Sequence, residues 1–415
     1  MENVLGLRCI HCGKELPAKT GIFTCPTCGS KDGILDVEYD YKRINRLNTR
    51  KQVENSKDFS IFRYHAFLPI QPDTPRPHLR VGWSPLYKPV GLEKSMGMSS
   101  LYIKDDGQNP TSSLKDRASV IAVIKAIEEK ATTIACSSTG NAASSLAGNA
   151  ASVGIRTFIF VPSRAPQGKI AQLLIFGANV ISVQGSYEDA FHLSAQAIER
   201  WGWYNRNAAV NPYLVEGKKT VALEIAEQLQ WEVPDWVVLS VGDGCTIAGV
   251  GKGFQDLYRA GWIDRLPKLA GVQSEGCCPL VEAFLKDQPW VPSEENTIAD
   301  SIAVGVPRNP EKALRAVRES NGTMIAVSDE EILAAMGFLG KTSGIFGEPA
   351  GVTGIAGLKH LLAQGTIKPS DKVVAIVTGN GLKDVKNAIA AAGKPMRVEP
   401  SLTVLIEELK KRGIE

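Results

Sequence analysis

Four cysteines sit within the first 28 residues as two pairs, Cys9-Ile-His-Cys12 and Cys25-Pro-Thr-Cys28, separated by twelve residues. Two such hairpins can wrap four thiolates tetrahedrally around one ion, which is the chemistry of a structural Zn2+ ribbon. A glycine follows each pair, Gly13 and Gly29. Glycine tolerates the positive φ that a tight metal-binding turn requires. The other four cysteines, Cys136, Cys245, Cys277 and Cys278, are scattered. This distribution fits a metal site better than a secreted disulfide framework. The flanks of the ribbon are not strongly basic, so it is not read as a nucleic-acid module.

Four further segments follow apolar runs and could carry chemistry. The first is Asn109-Pro-Thr-Ser-Ser-Leu-Lys115-Asp-Arg117. Ser112 or Ser113 reads as a helix N-cap, which puts Lys115 in the first turn. There the helix dipole opposes its charge, and partial burial would lower its pKa and make the amine a nucleophile. The second is Ser137-Ser-Thr-Gly-Asn141, whose small residues let backbone N–H groups approach an anion such as a carboxylate. The third, Val241-Gly-Asp-Gly-Cys-Thr246, offers free N–H groups and a hydroxyl suited to a phosphate. It fails the dinucleotide fingerprint, because Ile247 holds the third glycine position, and it fails the Walker pattern. The fourth is Thr378-Gly-Asn-Gly-Leu-Lys383. In parallel sheets ligands collect at the carboxyl ends of strands, so these turns are candidates for a single site.

The elements that must position them follow from periodicity. Apolar runs at 101–104, 133–136, 157–161, 180–183, 236–240, 270–272 and 373–377 alternate with amphipathic stretches such as 118–130 and 142–153. That alternation predicts an α/β chain with mostly parallel sheets in two lobes. We expect a zinc ribbon at 1–35, a lead-in segment at 36–100 joining the large lobe, a small lobe at 101–205, a large lobe at 206–395 and a C-terminal helix within 396–415. The 415 residues carry a net charge of +3, too close to neutral to indicate a nucleic-acid or acidic-membrane partner. No uninterrupted apolar run reaches the roughly 18 residues of a membrane helix, and Met1-Glu2-Asn3 does not open a secretory signal. A cytoplasmic location is expected.

In this order, the four segments resemble those of the fold-type II pyridoxal-phosphate enzymes, and among them the threonine synthases. Phe62-Arg-Tyr64 with Leu68-Pro69 resembles the Trp-Arg-Tyr…Leu-Pro lead-in, and Gly82-Trp-Ser-Pro-Leu86 resembles Gly-x-Thr-Pro-Leu. Asn109 to Arg117 resembles Asn-Pro-Thr-Gly-Ser-Phe-Lys-Asp-Arg. Asn211-Pro-Tyr213 with Glu216-Gly-Lys-Lys-Thr220 resembles Asn-Pro-Tyr-Arg-x-Glu-Gly-Gln-Lys-Thr. Gly344-Ile-Phe with Glu348-Pro-Ala350 resembles Gly-Ile-Phe-x-Glu-Pro-Ala. The resemblance implies a two-lobed, tryptophan synthase β-like fold with pyridoxal 5'-phosphate as cofactor. It implies that Lys115 bonds the cofactor and moves protons, and that Asn141 holds the ring hydroxyl oxygen. Gly242, Asp243, Gly244, Cys245 and Thr246 would hold the cofactor phosphate, and Thr378 would face the ring nitrogen. The backbone of Ser138, Thr139, Gly140 and Asn141 would bind the carboxylate of a small amino-acid substrate. Cys9, Cys12, Cys25 and Cys28 match the N-terminal zinc ribbon that some members carry. The family also implies a cytoplasmic homodimer.

The activity implied is that of a lyase performing elimination or replacement. Closest is threonine synthase, converting O-phosphohomoserine to threonine plus phosphate. Alternatives are a related enzyme on an unphosphorylated amino acid (a dehydratase, a cysteate-synthase-like β-replacement enzyme or a thiolase-like C–C lyase) and a non-catalytic zinc-ribbon binding protein. The departures concern the substrate. Ser112 replaces a glycine, Asp243 an asparagine and Asn380 a histidine. Around Asn211 the residues that help hold a substrate phosphate align with Ala208, Ala209 and Leu214, none of which can bind a dianion.

Overall fold

The computed structural model describes residues 1–415 except Thr20, Thr139, Arg164 to Pro166, Ala209 and Glu415. Of Ser30, Lys31, Gln167, Gly168 and Tyr187 the backbone alone is described. Three sheets organise the chain. A small antiparallel sheet joins Glu15–Leu16, Val4–Cys9 and Leu35–Tyr39. The ribbon therefore runs past the expected boundary at 35, because the strand Leu35–Tyr39 pairs with Val4–Cys9 along its whole length.

A six-stranded sheet has the order Thr323–Val327, Lys268–Ser274, Trp236–Ser240, Lys372–Val377, Ser100–Asp105, Leu86–Tyr87. Its first five strands are parallel, and Leu86–Tyr87 runs antiparallel at the edge. Both faces are covered. Val237 and Leu239 enter one apolar cluster, while Trp236 and Val238 enter the other. That explains why these strands read as unbroken apolar runs rather than alternating ones. The third sheet, in the order Asn179–Val183, Arg156–Pro162, Thr133–Ser137, Tyr204–Asn205, is wholly parallel.

One expectation is corrected here. The run at 101–104 was assigned to the small lobe, but Ser100–Asp105 pairs in register with Lys372–Val377 in the six-stranded sheet. Its apolar content is the same either way, and only the pairing partner decides. The next helix, Lys115–Glu128, is the hinge between lobes. Val120, Ile121 and Ile124 join the core of the large sheet, while Ala118, Ala122 and Ala126 join that of the small one. The C-terminal helix forms at Leu402–Lys411.

What fixes the helix Lys115–Glu128 is a buried ionic clamp. The Arg117 side chain is fully buried and donates to both oxygens of Asp106 at 2.7 and 2.8 Å. It also donates to Glu224 at 2.5 and 2.8 Å. Lys104 completes the set, donating to Glu224 at 2.7 Å. The adjacent pair Asp105 and Asp106 thus serves structure: Asp105 accepts from Gly107 N–H, and Asp106 holds Arg117. Breaking such a pair leaves buried carboxylates uncompensated, which costs about 3–5 kcal/mol. We therefore expect Arg117→Met to lose about 3–5 kcal/mol in urea unfolding. An unchanged midpoint would show that the clamp does not hold the helix.

Candidate active site and metal centre

Three neighbouring strands of the large sheet deliver three of the expected segments to one place. Ser100–Asp105 leads to the Lys115 segment, Lys372–Val377 ends at Thr378, and Trp236–Ser240 ends at the 242–246 loop. Because these strands are parallel, all three turns lie at their carboxyl ends. The small sheet contributes the fourth, since Thr133–Ser137 leads to the helix Asn141–Ala151. A single cavity is lined by Lys115, Asn141, Gly242, Asp243, Thr246 and Thr378, together with Ser240, Ser301, Glu348 and Ala350.

The Lys115 segment is strained and locked. Neither Ser112 nor Ser113 caps the helix, contrary to the expected N-cap; Leu114 precedes it with no side-chain cap. Ser112 instead has φ +67°, a left-handed conformation in which a β-carbon is unfavourable. That is the physical reason a glycine is natural at this position. The segment is fastened to the Thr378 turn: Leu114 N–H donates to Thr378 O at 2.9 Å, and Asn380 N–H donates to Ser112 O at 3.1 Å. Asp116 accepts from the Thr111 N–H and hydroxyl, both at 2.7 Å.

Electrostatics prepare the lysine. Burial pulls the Lys115 amine down to about 8, and the nearby Lys218 charge pushes in the same direction. Asp243 and Glu348 oppose the shift without reversing it, while Arg206 adds to it. Burial pushes the Glu348 carboxyl up, and Asn141 Nδ2 donates to it at 2.5 Å. Glu348 and Ser301 were not singled out as site residues by sequence reasoning. Glu348 did carry a signal in its Glu-Pro-Ala motif; Ser301 lies in a stretch without periodicity.

The 242–246 loop sits at the start of the helix Cys245–Arg259, where unpaired N–H groups favour an anion. Gly244 has φ +85°, and a β-carbon there would come within 2.5 Å of Asn309 O. Only glycine fits that turn. Asp243 folds back on its own loop, accepting from Cys245 N–H at 2.8 Å. Cys245 is a buried thiol pushed up to about 11 by burial, and neither it nor Gly244 lines the cavity. Nor do Ser138 and Gly140. Ser138 N–H already donates to Phe160 O, and Gly140 N–H donates to Ser138 Oγ at 3.2 Å. Thr139, the fourth member of the expected carboxylate loop, and Ala209 lie outside the described residues. Leu214 is buried among apolar residues of the small-lobe core, and Ala208 is half-buried. The site fits pyridoxal phosphate: a depressed lysine amine, an amide beside the cavity and a glycine-shaped anion loop converge on one space.

The ribbon fits its metal equally well. The four Sγ atoms of Cys9, Cys12, Cys25 and Cys28 lie within 4.8 Å of one another. Cys9–Cys28 and Cys12–Cys25 are 3.9 and 3.8 Å apart. Tetrahedral zinc with bonds of about 2.3 Å requires sulfur separations of about 3.8 Å. Gly13 and Gly29 take φ +72° and +74°, as the turns require.

Fold and site together define a fold-type II pyridoxal-phosphate enzyme. The pyridoxal-phosphate dependent enzyme family matches residues 78–379. A threonine synthase from Methanocaldococcus jannaschii is 40% identical over 407 residues, covering 97% of this chain and 99% of that one. One from Methanosarcina acetivorans is 40% identical over 406 residues, covering 97% and 98%. Among solved structures, diaminopropionate ammonia lyase from Escherichia coli aligns with a TM-score of 0.66 at 20% identity, covering 83% of this chain and 92% of that one. Threonine deaminase isoform 2 from Solanum lycopersicum aligns with a TM-score of 0.63 at 23% identity, covering 75% and 88%. At that identity the two structures speak for the fold alone. The chain belongs to the pyridoxal-phosphate dependent enzyme family and, within it, to the threonine synthase-like lyases. No helix among the described residues is long and apolar enough to cross a membrane.

Two expectations follow. Only a neutral amine attacks an aldehyde, so cofactor capture by the apo-protein should accelerate as pH rises through about 8 and level off above it. Stopped-flow absorbance of the lysine-bound cofactor reads this. A rise centred near the ordinary lysine value of about 10.4 would mean that burial does not tune the amine. The purified protein should also contain about one zinc per chain by elemental analysis. Cys25→Ser should lose that zinc and lower the thermal midpoint, because Cys9 and Cys25 belong to the same apolar cluster as the large lobe. Retention of zinc by Cys25→Ser would refute the four-thiolate assignment.

Proposed function

We propose that this chain is a threonine synthase, converting O-phosphohomoserine and water to threonine and inorganic phosphate. The observation that carries the reading is the span of the resemblance: relatives named threonine synthase match 97% of the chain. Bound pyridoxal phosphate supplies the electron sink for carbon chemistry on the substrate. The chain's own groups do the rest. Lys115, whose amine burial lowers to about 8, would hold the cofactor and move protons on the substrate carbons. Asn141, oriented by Glu348, would hold the ring hydroxyl oxygen. Gly242 to Thr246 would hold the cofactor phosphate. Thr378 would offer a neutral hydroxyl to the ring nitrogen, a group that cannot fix it as a cation. That suits elimination and replacement better than transamination. Of the loop expected to receive the substrate carboxylate, Asn141 would do so at the cavity wall. The enzyme acts as a homodimer in the cytoplasm, as its family resemblance suggests.

A second reading is favoured by one observation. Leu214, aligned with the cation expected to meet a substrate phosphate, is buried in an apolar cluster. An unphosphorylated amino acid such as serine or threonine would need no such cation. One assay decides between them. The cofactor-loaded protein is given O-phosphohomoserine, and phosphate and threonine are followed together. Equal yields of both are expected. No phosphate there, with ammonia and keto acid from serine or threonine, would replace the first reading by the second.

A further inference from the structure

Among the described residues, the fully buried lysines outside the cavity are matched to carboxylates, Lys218 excepted. Lys104 has Glu224 at 2.7 Å, and Lys219 has Glu216 and Asp256 at 2.6 Å each. Lys218, the neighbour of Lys219, is 2% exposed. Among the described residues its ammonium makes no direct hydrogen bond or ion pair, and the carboxylate that feels its charge is Asp243. The nearest counter-charge that the chain supplies is Asp243, which the Lys218 charge helps hold as an anion without an ion-pair contact, and that leaves the ammonium open to a bound anion.

Its position says where that anion belongs. Lys218 ends the helix Tyr213–Lys218, which packs on Cys245–Arg259. A β-carbon on Gly249 would come within 2.9 Å of Lys218 Cβ, one turn into the helix that the 242–246 loop opens. The groups that feel the Lys218 charge are those of the cavity and its loop: Asp243, Lys115 and Cys245. Asp243 makes the need sharper. Its carboxylate occupies the Cys245 N–H within the turn suited to a phosphate, so a dianion there meets an anion as well as amides. The motifs compared above have neutral Gln and Asn where this chain has Lys218 and Asp243. Both positions are charged here, with opposite signs.

We propose that Lys218 is the counter-cation of a phosphate monoester bound beside Asp243. The phosphate belongs either to the cofactor or to an O-phosphorylated amino-acid substrate. The cofactor arm rests on the pyridoxal-phosphate reading; the substrate arm rests on the threonine synthase reading as well. In the second case Lys218, one helical turn beyond Leu214, supplies the charge that Leu214 lacks.

Lys218→Gln, Lys218→Arg and the double variant Lys218→Gln/Asp243→Asn test this. Cofactor affinity is read by absorbance titration of each apo-protein. Binding of O-phosphohomoserine is read at saturating cofactor from the cofactor spectrum. Lys218→Gln should weaken one of the two by at least about tenfold, and Lys218→Arg should keep most of the affinity. The double variant, with both charges removed, should recover much of what Lys218→Gln loses. Weaker cofactor binding with unchanged substrate binding identifies the cofactor phosphate; the reverse identifies the substrate phosphate. If the protein releases no phosphate from O-phosphohomoserine, the cofactor arm still stands or falls on its own titration. The proposal is overturned if Lys218→Gln changes both affinities by less than about twofold. It is also overturned if the double variant binds as poorly as Lys218→Gln, or if Lys218→Arg binds no better than Lys218→Gln.

Discussion

A single guanidinium holds this active site in register. Arg117 lies two residues after Lys115 and is shared by two carboxylates from distant parts of the chain, Asp106 and Glu224. Glu224 in turn receives Lys104 and the N–H groups of Trp83 and Ser84. One fully buried knot therefore ties together a strand of the large sheet, the lead-in segment, the Lys115 helix and the helix Thr220–Gln228. Two cations face two anions there, so the knot is neutral, and its forked geometry leaves little freedom. Lys115 sits at the mouth of a helix that cannot slide. That rigidity lets the adjacent segment hold Ser112 in a left-handed conformation which a serine alone would avoid.

The site's chemistry is an exercise in unequal burial. Lys115, Lys218, Asp243 and Glu348 are brought into one poorly hydrated region, where each charge is felt more strongly than in water. Burial disfavours both the lysine cation and the glutamate anion. It moves the Lys115 amine down and the Glu348 carboxyl up. Asp243 moves the opposite way, held as an anion by Lys218 and Lys115 despite its burial.

The ribbon is part of the enzyme's core rather than an appendage. Leu7, Cys9, Cys25 and Leu35 belong to the same apolar cluster as Val237, Leu239 and Phe254 of the large lobe. Tyr39 donates to Glu216 at 2.7 Å and Tyr41 to Asp256 at 2.8 Å. Those two carboxylates are the partners of Lys219. The metal-bound element thus touches the helix that ends at Lys218, which gives the ribbon a physical connection to the cavity.

Features that depend on neighbouring residues are legible in the amino-acid order alone. The paired cysteines with their glycines announced the metal centre, because a metal-binding turn is built from consecutive backbone angles. The apolar runs announced the parallel strands, and the turns after them announced Lys115, Asn141, the 242–246 loop and Thr378. Tertiary structure decided the rest, because burial and counter-charge are properties of contacts between distant segments. Asn141 meets Glu348 across 207 positions, and Arg117 meets Glu224 across 107. Nothing local distinguishes Lys218 from Lys219, yet Lys219 makes ion pairs with two carboxylates and Lys218 makes none among the described residues. The strand Ser100–Asp105 reads equally well as part of either lobe, and only its hydrogen bonds to Lys372–Val377 assign it. Local pattern says which groups are available; the packed fold says which of them lose their water, and that loss lowers the Lys115 amine.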